Sequence, residues 1–263
     1  FRPNGGIWYR INSYNNQVRA YQFGVATDKL APADYDGDGR YDAAIFRPSN
    51  GTWYIFNSGN NSYRIESFGI AEDIPYPADF DGDGRADLAV FRPSTGIWYL
   101  MRSSQGFTTI QFGQPGDVPV VGDYDGDCQA DTAIFRPAGA NGAEWWIRRS
   151  SNGQVFATQF GSNTDKPVQG DYTGDGKTDI AFWQPSSGEW FVLRSEDYSY
   201  FSFPFGQSGD TPAPGDYDAD GISDAAIFRS SDRNWYLQRS TAGFTAVQFG
   251  LATDKPVPAA FIP

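Results

Sequence analysis

The chain contains 263 residues, of which 17% are aromatic, and it carries a formal net charge of −12 with no histidine and one cysteine. An acidic chain is a poor ligand for nucleic acid or an anionic membrane, and no apolar run approaches the roughly 18 residues of a membrane span, so we expect neither nucleic-acid binding nor membrane insertion. Without histidine, and with Cys128 alone, histidine-based triads, histidine zinc sites and thiolate zinc sites are excluded.

Four sequence signals recur along the chain with a period of about 45 residues. The first is an acidic motif such as "DYDGDGRYD", which opens at Asp34, Asp79, Asp123, Asp171 and Asp216. The others are an "FRP"-like triplet, an "FG" pair and a tryptophan, which recurs as Trp8, Trp53, Trp98, Trp145, Trp190 and Trp235. Each "FG" glycine stands ten residues before the next acidic motif. Such regular spacing indicates one supersecondary unit that repeats.

Taken in chain order, each unit predicts four short strands separated by turn residues. In the unit 73–113, "IPYPADF" is followed by the acidic motif and then by "LAVFRP", "GIWYLMRS" and "FTTIQFG". These segments are rich in aromatic and β-branched residues, and no window has the 3.6-residue apolar period of a helix. Four strands in about 45 residues are typical of one blade of a β-propeller, so we predict an all-β fold.

The strand count predicts a single domain, a six-bladed β-propeller with four-stranded blades. We expect blades 2 to 6 to span, in order, 28–69, 73–113, 117–161, 165–206 and 210–250. Blade 1 would combine residues 1–24 with the C-terminal strand in 255–263, which closes the ring and protects its edges. A seven-bladed parent that lacks one blade here is the alternative. The start at Phe1, without a signal peptide, suggests a processed or excised piece of a larger protein.

The acidic motif has aspartate at positions 1, 3, 5 and 9 and glycine at position 6. Thr173 is the one exception among the aspartates, and Cys128 is the one exception among the glycines. Alternate positions of a tight loop can direct their oxygens to one centre, and a carbonyl at position 7 can add another ligand. Such hard oxygen ligands at flexible geometry suit Ca²⁺ better than Mg²⁺. The motifs hold 19 of the 32 acidic residues, and five bound Ca²⁺ would bring the charge from −12 to −2. Metal-free Asx-turns between strands are the alternative.

These loops, the "FG" pairs and the blade period resemble the FG-GAP/VCBS repeats of extracellular β-propellers, including integrin α-subunit heads and the calcium-containing fungal lectins related to the Psathyrella lectin. The resemblance covers nearly the whole chain and implies a set of calcium ligands in each loop. In loop 1 they are Asp34, Asp36, Asp38, Asp42 and the carbonyl of Arg40, and in loop 2 Asp79, Asp81, Asp83, Asp87 and that of Arg85. In loop 3 they are Asp123, Asp125, Asp127, Asp131 and the carbonyl of Gln129, in loop 4 Asp171, Thr173, Asp175, Asp179 and that of Lys177, and in loop 5 Asp216, Asp218, Asp220, Asp224 and that of Ile222.

Two substitutions predict that the third and fourth of the five calcium sites bind more weakly than the others. Cys128 replaces the position-6 glycine of loop 3, and a Cβ is costly there if the backbone needs positive φ. Thr173 replaces an aspartate of loop 4, which removes a charge but leaves a hydroxyl. A reactive thiol is the alternative interpretation of Cys128.

Residues that recur in every blade are interpreted as architecture. We expect the six tryptophans to fill the wedges between blades. The recurring arginines, which we expect to pair with a loop carboxylate, are Arg2, Arg47, Arg92, Arg136 and Arg229. The aspartates Asp28, Asp73, Asp117, Asp165, Asp210 and Asp254 are predicted to be turn residues in the connections between blades.

Breaks in the repeat are the candidates for ligand binding. Blade 4 has a longer turn with Glu144 and a second tryptophan, Trp146, and blade 5 has Trp183 in place of the "FRP" phenylalanine and an aromatic outer segment with Tyr198 and Tyr200. Aromatic residues beside polar groups suit the apolar faces of sugar rings or a protein partner. Ordinary core packing is the alternative for each of these residues.

These observations together predict an extracellular or cell-surface binding module, stabilised by calcium, for a glycan or an extracellular protein. Extracellular calcium modules bind with dissociation constants of about 0.1–1 mM, so such sites would not fill at cytosolic calcium levels. A structural subunit or appended domain that assembles with other chains of a surface complex is the alternative. A polysaccharide lyase or glycosidase is less favoured, since it needs convergent carboxylates or a tyrosine–arginine pair in a cleft.

Overall fold

The computed structural model describes residues 1–12, 15–139 and 142–257, and all its regular elements are β-strands. Within these residues no helix is long and apolar enough to cross a membrane. A two-stranded sheet comes first, formed by β1 (Ile7–Ile11) and β2 (Val18–Gln22). Five four-stranded sheets follow, one in each of blades 2 to 6.

The strands of blades 2 to 4 are β3 (Lys29–Leu30), β4 (Ala43–Arg47), β5 (Thr52–Phe56), β6 (Tyr63–Ser67), β7 (Ile74–Pro75), β8 (Leu88–Arg92), β9 (Ile97–Arg102), β10 (Gly106–Gln111), β11 (Val118–Pro119), β12 (Thr132–Gly139), β13 (Gly142–Arg148) and β14 (Val155–Gln159). Those of blades 5 and 6 are β15 (Lys166–Pro167), β16 (Ile180–Gln184), β17 (Glu189–Leu193), β18 (Tyr200–Pro204), β19 (Thr211–Pro212), β20 (Ala225–Arg229), β21 (Asn234–Arg239) and β22 (Gly243–Gln248). Strands adjacent in sequence pair antiparallel within every sheet. The prediction of an all-β propeller with four-stranded blades is confirmed.

Burial decreases from the second strand of each blade to the outer strand, which explains the sequence pattern. The second strands, such as β8 with "LAVFR", have four consecutive buried residues because both their faces are covered. In blades 3 and 5 the third strands alternate buried and half-buried residues and the outer strands alternate half-buried and exposed ones, whereas β21 of blade 6 has no buried residue. The apolar core therefore lies along the second and third strands and continues from blade to blade.

Five of the six recurring tryptophans are buried between blades, as predicted, whereas Trp235 is only partly buried and joins no core cluster of the described residues. Trp53 of β5 is fully buried against Leu88 and Val90 of the following blade. Its indole Nε1 donates a hydrogen bond to the carbonyl of Phe68, just before the "FG" glycine, at 2.9 Å. Trp8, Trp98, Trp145 and Trp190 repeat this hydrogen bond in their own blades. One residue type thus fixes both the packing between blades and the end of the outer strand.

The recurring arginines do not pair with the acidic loops, so that expectation was wrong. Arg47 instead donates from Nε and Nη2 to the two carboxylate oxygens of Asp28, each at 2.9 Å. Arg2, Arg92, Arg136 and Arg229 bind Asp254, Asp73, Asp117 and Asp210 in the same way. The reason is strand direction: the second strand begins at the acidic loop and carries its arginine to the opposite end of the blade. There the aspartate also caps its own turn, as in the hydrogen bond from the Val25 amide to Asp28.

The two ends of the described chain meet through the contacts that join the first and second strands of the other blades. The amino group of Phe1 donates to the carbonyl of Lys255 at 2.7 Å, and the amide of Lys255 donates to the carbonyl of Phe1 at 2.7 Å. Arg2 and Asp254 form the accompanying ion pair at 2.9 Å. Phe46 of β4 pairs with Lys29 of β3 at the equivalent position of blade 2. Most of the predicted closing strand, residues 258–263, lies outside the described residues.

Blade 5 lacks the arginine and leaves its turn aspartate incompletely satisfied. Asp165 is only 6% exposed, and its Oδ1 has no hydrogen-bond partner among the described residues, while its Oδ2 accepts the Ser162 amide. Gln184 stands in place of the arginine, and its side-chain carbonyl accepts a hydrogen bond from Ser187 instead. A buried oxygen without a partner costs about 1–3 kcal/mol.

This difference predicts opposite responses in blades 4 and 5. Asp117→Asn should lower the free energy of unfolding by about 2 kcal/mol or more, because Arg136 loses its carboxylate. Asp165→Asn should leave it unchanged or raise it, and Gln184→Arg should raise it by about 1 kcal/mol by supplying the missing donor. Urea denaturation at one fixed calcium concentration measures all three variants. An equal loss in the two aspartate variants would contradict this interpretation.

Candidate metal centres

Each acidic loop connects the first and second strands of its blade and is closed at its base by the backbone. In loop 1 an isolated bridge joins Ala33, before the loop, to Asp42 at position 9, and the Asp42 amide donates to the Ala33 carbonyl at 2.8 Å. The same bridge occurs in the other four loops. The nine residues are therefore held as a loop closed at its base by this backbone bridge.

The aspartate at position 1 organises the backbone of its own loop. The carboxylate of Asp34 accepts hydrogen bonds from the amides of Gly37 and Gly39, both at 2.7 Å. The position-1 aspartates of loops 2 to 5 accept the same pair of amides. This is the Asx-turn geometry that the sequence offers as the metal-free alternative, and it accounts for position 1 but not for the other carboxylates.

The aspartate at position 9 is buried and ties the loop to the turn between the third and fourth strands. The carboxylate of Asp87 accepts the Phe80 amide at 2.9 Å and the Ser103 amide at 2.6 Å. Burial raises the pKa of Asp87 to about 7, with smaller contributions from Asp81 and Asp79 that also raise it. Burial likewise raises the pKa of Asp131 and Asp179 to about 6. It also raises the pKa of Asp42 and Asp224.

Position 3 provides the strongest indication of a ligand. One side-chain oxygen at this position is buried without any hydrogen-bond partner in all five loops: Asp36 Oδ1, Asp81 Oδ1, Asp125 Oδ1, Thr173 Oγ1 and Asp218 Oδ1. Buried polar atoms are nearly always satisfied in folded proteins. A defect repeated at one position in every loop therefore marks position 3 as a candidate ligand for a cation.

Carboxylates of four loops lie close enough to share one cation. Ligand oxygens within 4.8 Å of one another come from Asp34, Asp36 and Asp38; from Asp79, Asp81 and Asp87; from Asp123, Asp125 and Asp127; and from Asp216, Asp218 and Asp224. Oxygens at 2.3–2.6 Å from a calcium ion stand at separations of this size. Loop 4, with Thr173 at position 3, has no such group of three carboxylates within the described part of the chain. The donor set fits a hard divalent cation in four loops and is poorer in loop 4.

Serine hydroxyls contribute to the loops, and the sequence analysis missed them. Ser103 Oγ donates to Asp83, Ser150 Oγ to Asp127 and Ser195 Oγ to Asp175. Ser240 and Thr241 donate to Asp220 in loop 5. The signal was present, because a serine recurs just after the third strand at Ser58, Ser103, Ser150, Ser195 and Ser240. In loops 2 to 5 these hydroxyls hold the position-5 carboxylates, whereas the Ser58 hydroxyl of loop 1 is buried without a hydrogen-bond partner among the described residues.

Position 6 requires positive φ, as the sequence suggested. Its glycines have φ between 77° and 86°, and Cys128 has φ 65°. An added Cβ at Gly39, Gly84 or Gly176 would meet no atom within 4 Å. The cost at Cys128, which is exposed and unpaired, is thus conformational and not steric. Position 4 has the same backbone, with Ala219 (φ 62°) as an exception that the sequence analysis did not single out.

Neighbouring loops are joined to one another around the ring. The amide at position 8 of each following loop donates to the position-1 carbonyl of the loop before it: Ala86 to Asp34, Ala130 to Asp79, Thr178 to Asp123 and Ser223 to Asp171, at 2.6–2.7 Å. The position-7 side chain of the following loop lies over the position-4 glycine, as Arg85 does over Gly37. Loop 5 has no acidic loop after it, so no position-7 side chain covers its position-4 residue, and the larger Ala219 fits there.

The carbonyls at position 7 remain predicted calcium ligands.

The candidate ligand-binding residues fall into three environments. Trp183 is fully buried and packs in the core of blade 5, so its assignment to ligand binding was wrong. Trp146 lies under the Arg136 guanidinium at 5.3 Å and donates to Glu144 at 2.9 Å; tyrosines take this place in other blades. Tyr198 and Tyr200 are 51% and 67% exposed, which leaves their rings available to a ligand.

The repeated blades define a β-propeller whose acidic loops could hold cations. Residues 34–90, 79–134 and 171–227 match the FG-GAP-like repeat, together more than half of the chain. The chain therefore belongs to the FG-GAP-like repeat family. No curated protein sequence matches it.

Solved structures of similar fold include both enzymes and binding proteins. A catalytically inactive virginiamycin B lyase from Staphylococcus aureus, solved with quinupristin, is 10% identical with a TM-score of 0.62 over 97% of this chain and 82% of that chain. A lectin from Agrocybe aegerita that recognises non-reducing terminal N-acetylglucosamine is 16% identical with a TM-score of 0.57 over 88% of this chain and 71% of that chain. At such identities the likeness shows the fold alone.

The raised pKa values predict how the metal-free protein responds to pH. The carboxyl of Asp87 titrates near 7 when folded, against 3.8 for the ordinary group, because its charged form is buried. The folded state therefore binds more protons than the unfolded chain between about pH 4 and 7, and the free energy of unfolding should fall as pH rises through this window.

Denaturant titration of metal-depleted protein at pH 5 and pH 7.5 measures this effect. Asp87→Asn should reduce the difference between the two pH values, since it removes one of the buried titrating groups. Added Ca²⁺ should stabilise more at pH 7.5 than at pH 5, because protons compete for the ligands. Stability of the metal-depleted protein that rises with pH over this range would contradict the prediction.

Proposed function

We propose that the protein is an extracellular or cell-surface propeller that binds Ca²⁺ in its acidic loops and recognises carbohydrate or glycoprotein. The observation that carries the calcium part is the unpartnered, buried position-3 oxygen repeated in five loops. Bound Ca²⁺ would supply the positive charge that offsets repulsion among the carboxylates. The residues at positions 1, 3, 5 and 9 would hold it, and position 1 would also keep the loop backbone in place through its amide hydrogen bonds.

We also propose that the ring is one domain of six blades, with the C-terminal segment completing blade 1. The paired hydrogen bonds between Phe1 and Lys255, and the ion pair of Arg2 with Asp254, support this closure. They repeat the contacts between first and second strands elsewhere in the chain. A ring closed in this way leaves no blade without a neighbour on either side.

The expected strength of the sites supports an extracellular location. With a dissociation constant of about 0.1 mM, a site in about 1 mM calcium adds about 1.4 kcal/mol to stability. Several such sites approach the 5–15 kcal/mol of a typical domain. At cytosolic calcium levels the same sites would be vacant and the carboxylates would repel one another, so the fold is suited to a calcium-rich compartment.

Exposed aromatic rings where the repeat is broken support carbohydrate recognition. Tyr198 and Tyr200 present their rings to solvent beside serine and arginine side chains, the combination that binds the apolar face and the hydroxyls of a sugar. The lectin of similar fold shows that such a propeller can bind a sugar. Since enzymes also have this fold, we derive no activity from it and propose none.

Calcium should stabilise the protein, and single ligands should matter. In 1 mM CaCl₂ the melting temperature should exceed that in EDTA by on the order of 10 °C, as about three filled sites of about 1.4 kcal/mol each would give. Asp81→Asn should lower the number of tight sites found by calorimetry by one. Glu196→Gln removes the same charge from an exposed position outside the loops and serves as the control. An unchanged melting temperature after chelation would refute the calcium proposal.

Carbohydrate recognition is tested on a glycan array probed in CaCl₂ and in EDTA. We expect binding to a defined subset of glycans in calcium and a loss of that signal in EDTA, because the loops shape the face that carries the candidate residues. Tyr200→Ser should weaken it, and Tyr63→Ser, an equally exposed tyrosine of blade 2, should not. No signal for any glycan in calcium would exclude the carbohydrate proposal and favour a protein partner.

A further inference from the structure

Two arginines of blade 1 stand directly opposite each other across its hairpin. The register of β1 and β2 pairs Arg10 with Arg19, and both residues are exposed. Facing side chains of an antiparallel pair have Cβ atoms about 4.5–5.5 Å apart, and like charges at such positions destabilise a sheet. No other pair of like-charged residues stands directly opposite across the strands that the structure describes. The stability of the hairpin therefore does not explain this pair.

Arg10 breaks the repeat at a position that is otherwise apolar. It stands two residues after the blade tryptophan Trp8, and the other five blades have at this position Ile55, Leu100, Ile147, Val192 and Leu237. The first four of these residues are at most 2% exposed. A core position of the repeat thus carries an exposed cation in blade 1, and its neighbour across the hairpin carries a second one.

Neither arginine has an anionic partner within the described chain. The recurring arginines each bind a turn aspartate, as Arg2 binds Asp254 at 2.9 Å. The guanidinium groups of Arg10 and Arg19 form no ion pair and no hydrogen bond with a described residue, although the chain has a net charge of −12. A guanidinium group without a carboxylate partner is suited to bidentate binding of a carboxylate or sulfate group from a ligand.

The residues on either side of the arginine pair suit the rest of a sugar. On one side lies Tyr21, whose ring stacks on Trp8 at 6.4 Å and 3° between the rings. Burial raises the pKa of Tyr21, and the nearby charge of Arg10 acts in the opposite direction. On the other side the Asn12 amide donates to the Gln17 carbonyl at 3.0 Å, and neither side chain forms a hydrogen bond with a described residue. Carboxamide groups both donate and accept hydrogen bonds, as sugar hydroxyls do.

We propose that Arg10 and Arg19 form a binding site for an acidic glycan and hold its carboxylate or sulfate group between them. The side-chain amides of Asn12 and Gln17 bind hydroxyl groups of the same sugar, and Tyr21 borders the site on the opposite side. An acidic peptide shares the anionic group, but the two unpaired amides favour a ligand with many hydroxyls. This inference rests on the proposed carbohydrate recognition, and it adds an acidic sugar as the class of ligand at a second site, on a different blade from the exposed tyrosines of blade 5.

Four hexamers separate the anionic group from the sugar and from peptide chemistry. They are a chondroitin sulfate hexasaccharide, the same hexasaccharide without sulfate, neutral chitohexaose and a hexaglutamate peptide. Calorimetric titration at about 1 mM CaCl₂ and about 0.15 M NaCl measures their binding. We expect one or both acidic hexasaccharides to bind at least about tenfold more tightly than chitohexaose and than hexaglutamate, as charge-assisted hydrogen bonds give.

Arginine variants test whether the pair is the site. Arg10→Gln and Arg19→Gln should each remove most of the preference for acidic hexasaccharides. The double variant should lose little more than either single variant, because both arginines hold one group. Arg233→Gln is the matched control, since Arg233 is also exposed and has no side-chain partner among the described residues but lies in blade 6. Equal losses in all three single variants would show a nonspecific effect of charge and overturn the inference.

Arg10→Leu supplies a readout that a structural role would not give. It restores the residue type of blade 3, where Leu100 is buried, so it should raise the melting temperature while it removes the acidic preference. A preference that survives both Arg10→Leu and Arg19→Gln overturns the inference, as does equal binding of the acidic and neutral hexasaccharides.

The remaining outcomes separate this inference from the proposed function. Hexaglutamate binding as tight as that of the acidic hexasaccharides overturns the assignment to a glycan. An array signal that Tyr200→Ser weakens, with no effect of the blade 1 variants on any acidic glycan, overturns the inference and leaves carbohydrate recognition standing. Binding of no hexasaccharide and of no glycan on the array overturns both.

Discussion

The repulsion among clustered aspartates is the constraint on which this propeller depends. Four of the five loops bring three carboxylates within 4.8 Å of one another, and the position-9 carboxylate of every loop is buried, where charge is disfavoured. Backbone amides satisfy positions 1 and 9, and serine hydroxyls satisfy position 5 in loops 2 to 5, yet position 3 keeps a buried oxygen without a partner. A cation at the centre of a loop could satisfy this oxygen and offset the repulsion.

The loops do not act alone, because each is hydrogen-bonded to the next. The bond from Ala86 to the carbonyl of Asp34 connects two consecutive centres through a single backbone segment, since Ala86 precedes the buried Asp87. On the same interface Trp53 packs against Leu88 of the following blade. The loops and the tryptophan wedges are therefore two layers of one nearest-neighbour coupling, the organisation of repeat proteins in general. A loop that swells would strain the loops beside it.

Periodicity within the chain predicted the strands, the tryptophan wedges and the turn aspartates, because each depends on local spacing. It could not give the partner of Arg47, since spacing says nothing about which end of a blade a side chain reaches. It also assigned Trp183 to a ligand, although a buried site between two blades tolerates tryptophan as readily as phenylalanine. Sequence spacing also did not predict contacts between blades. For example, Gly122 leaves room for Thr178 of the next blade, because a Cβ added at Gly122 would lie 2.6 Å from the Thr178 hydroxyl.

Departures from the repeat divide into those that a neighbour compensates and those that nothing in the fold compensates. Gly122 with Thr178, and Gly170 with Ser223, are matched pairs of small and larger residues, so they preserve packing. Ala219 stands where no following loop covers it. Tyr198 is different, because its backbone is strained, its ring is half in solvent, and glycine or asparagine would serve the turn better. Folding alone therefore does not favour a tyrosine at that position, although its ring stacks on Phe156 of the preceding blade at 5.1 Å.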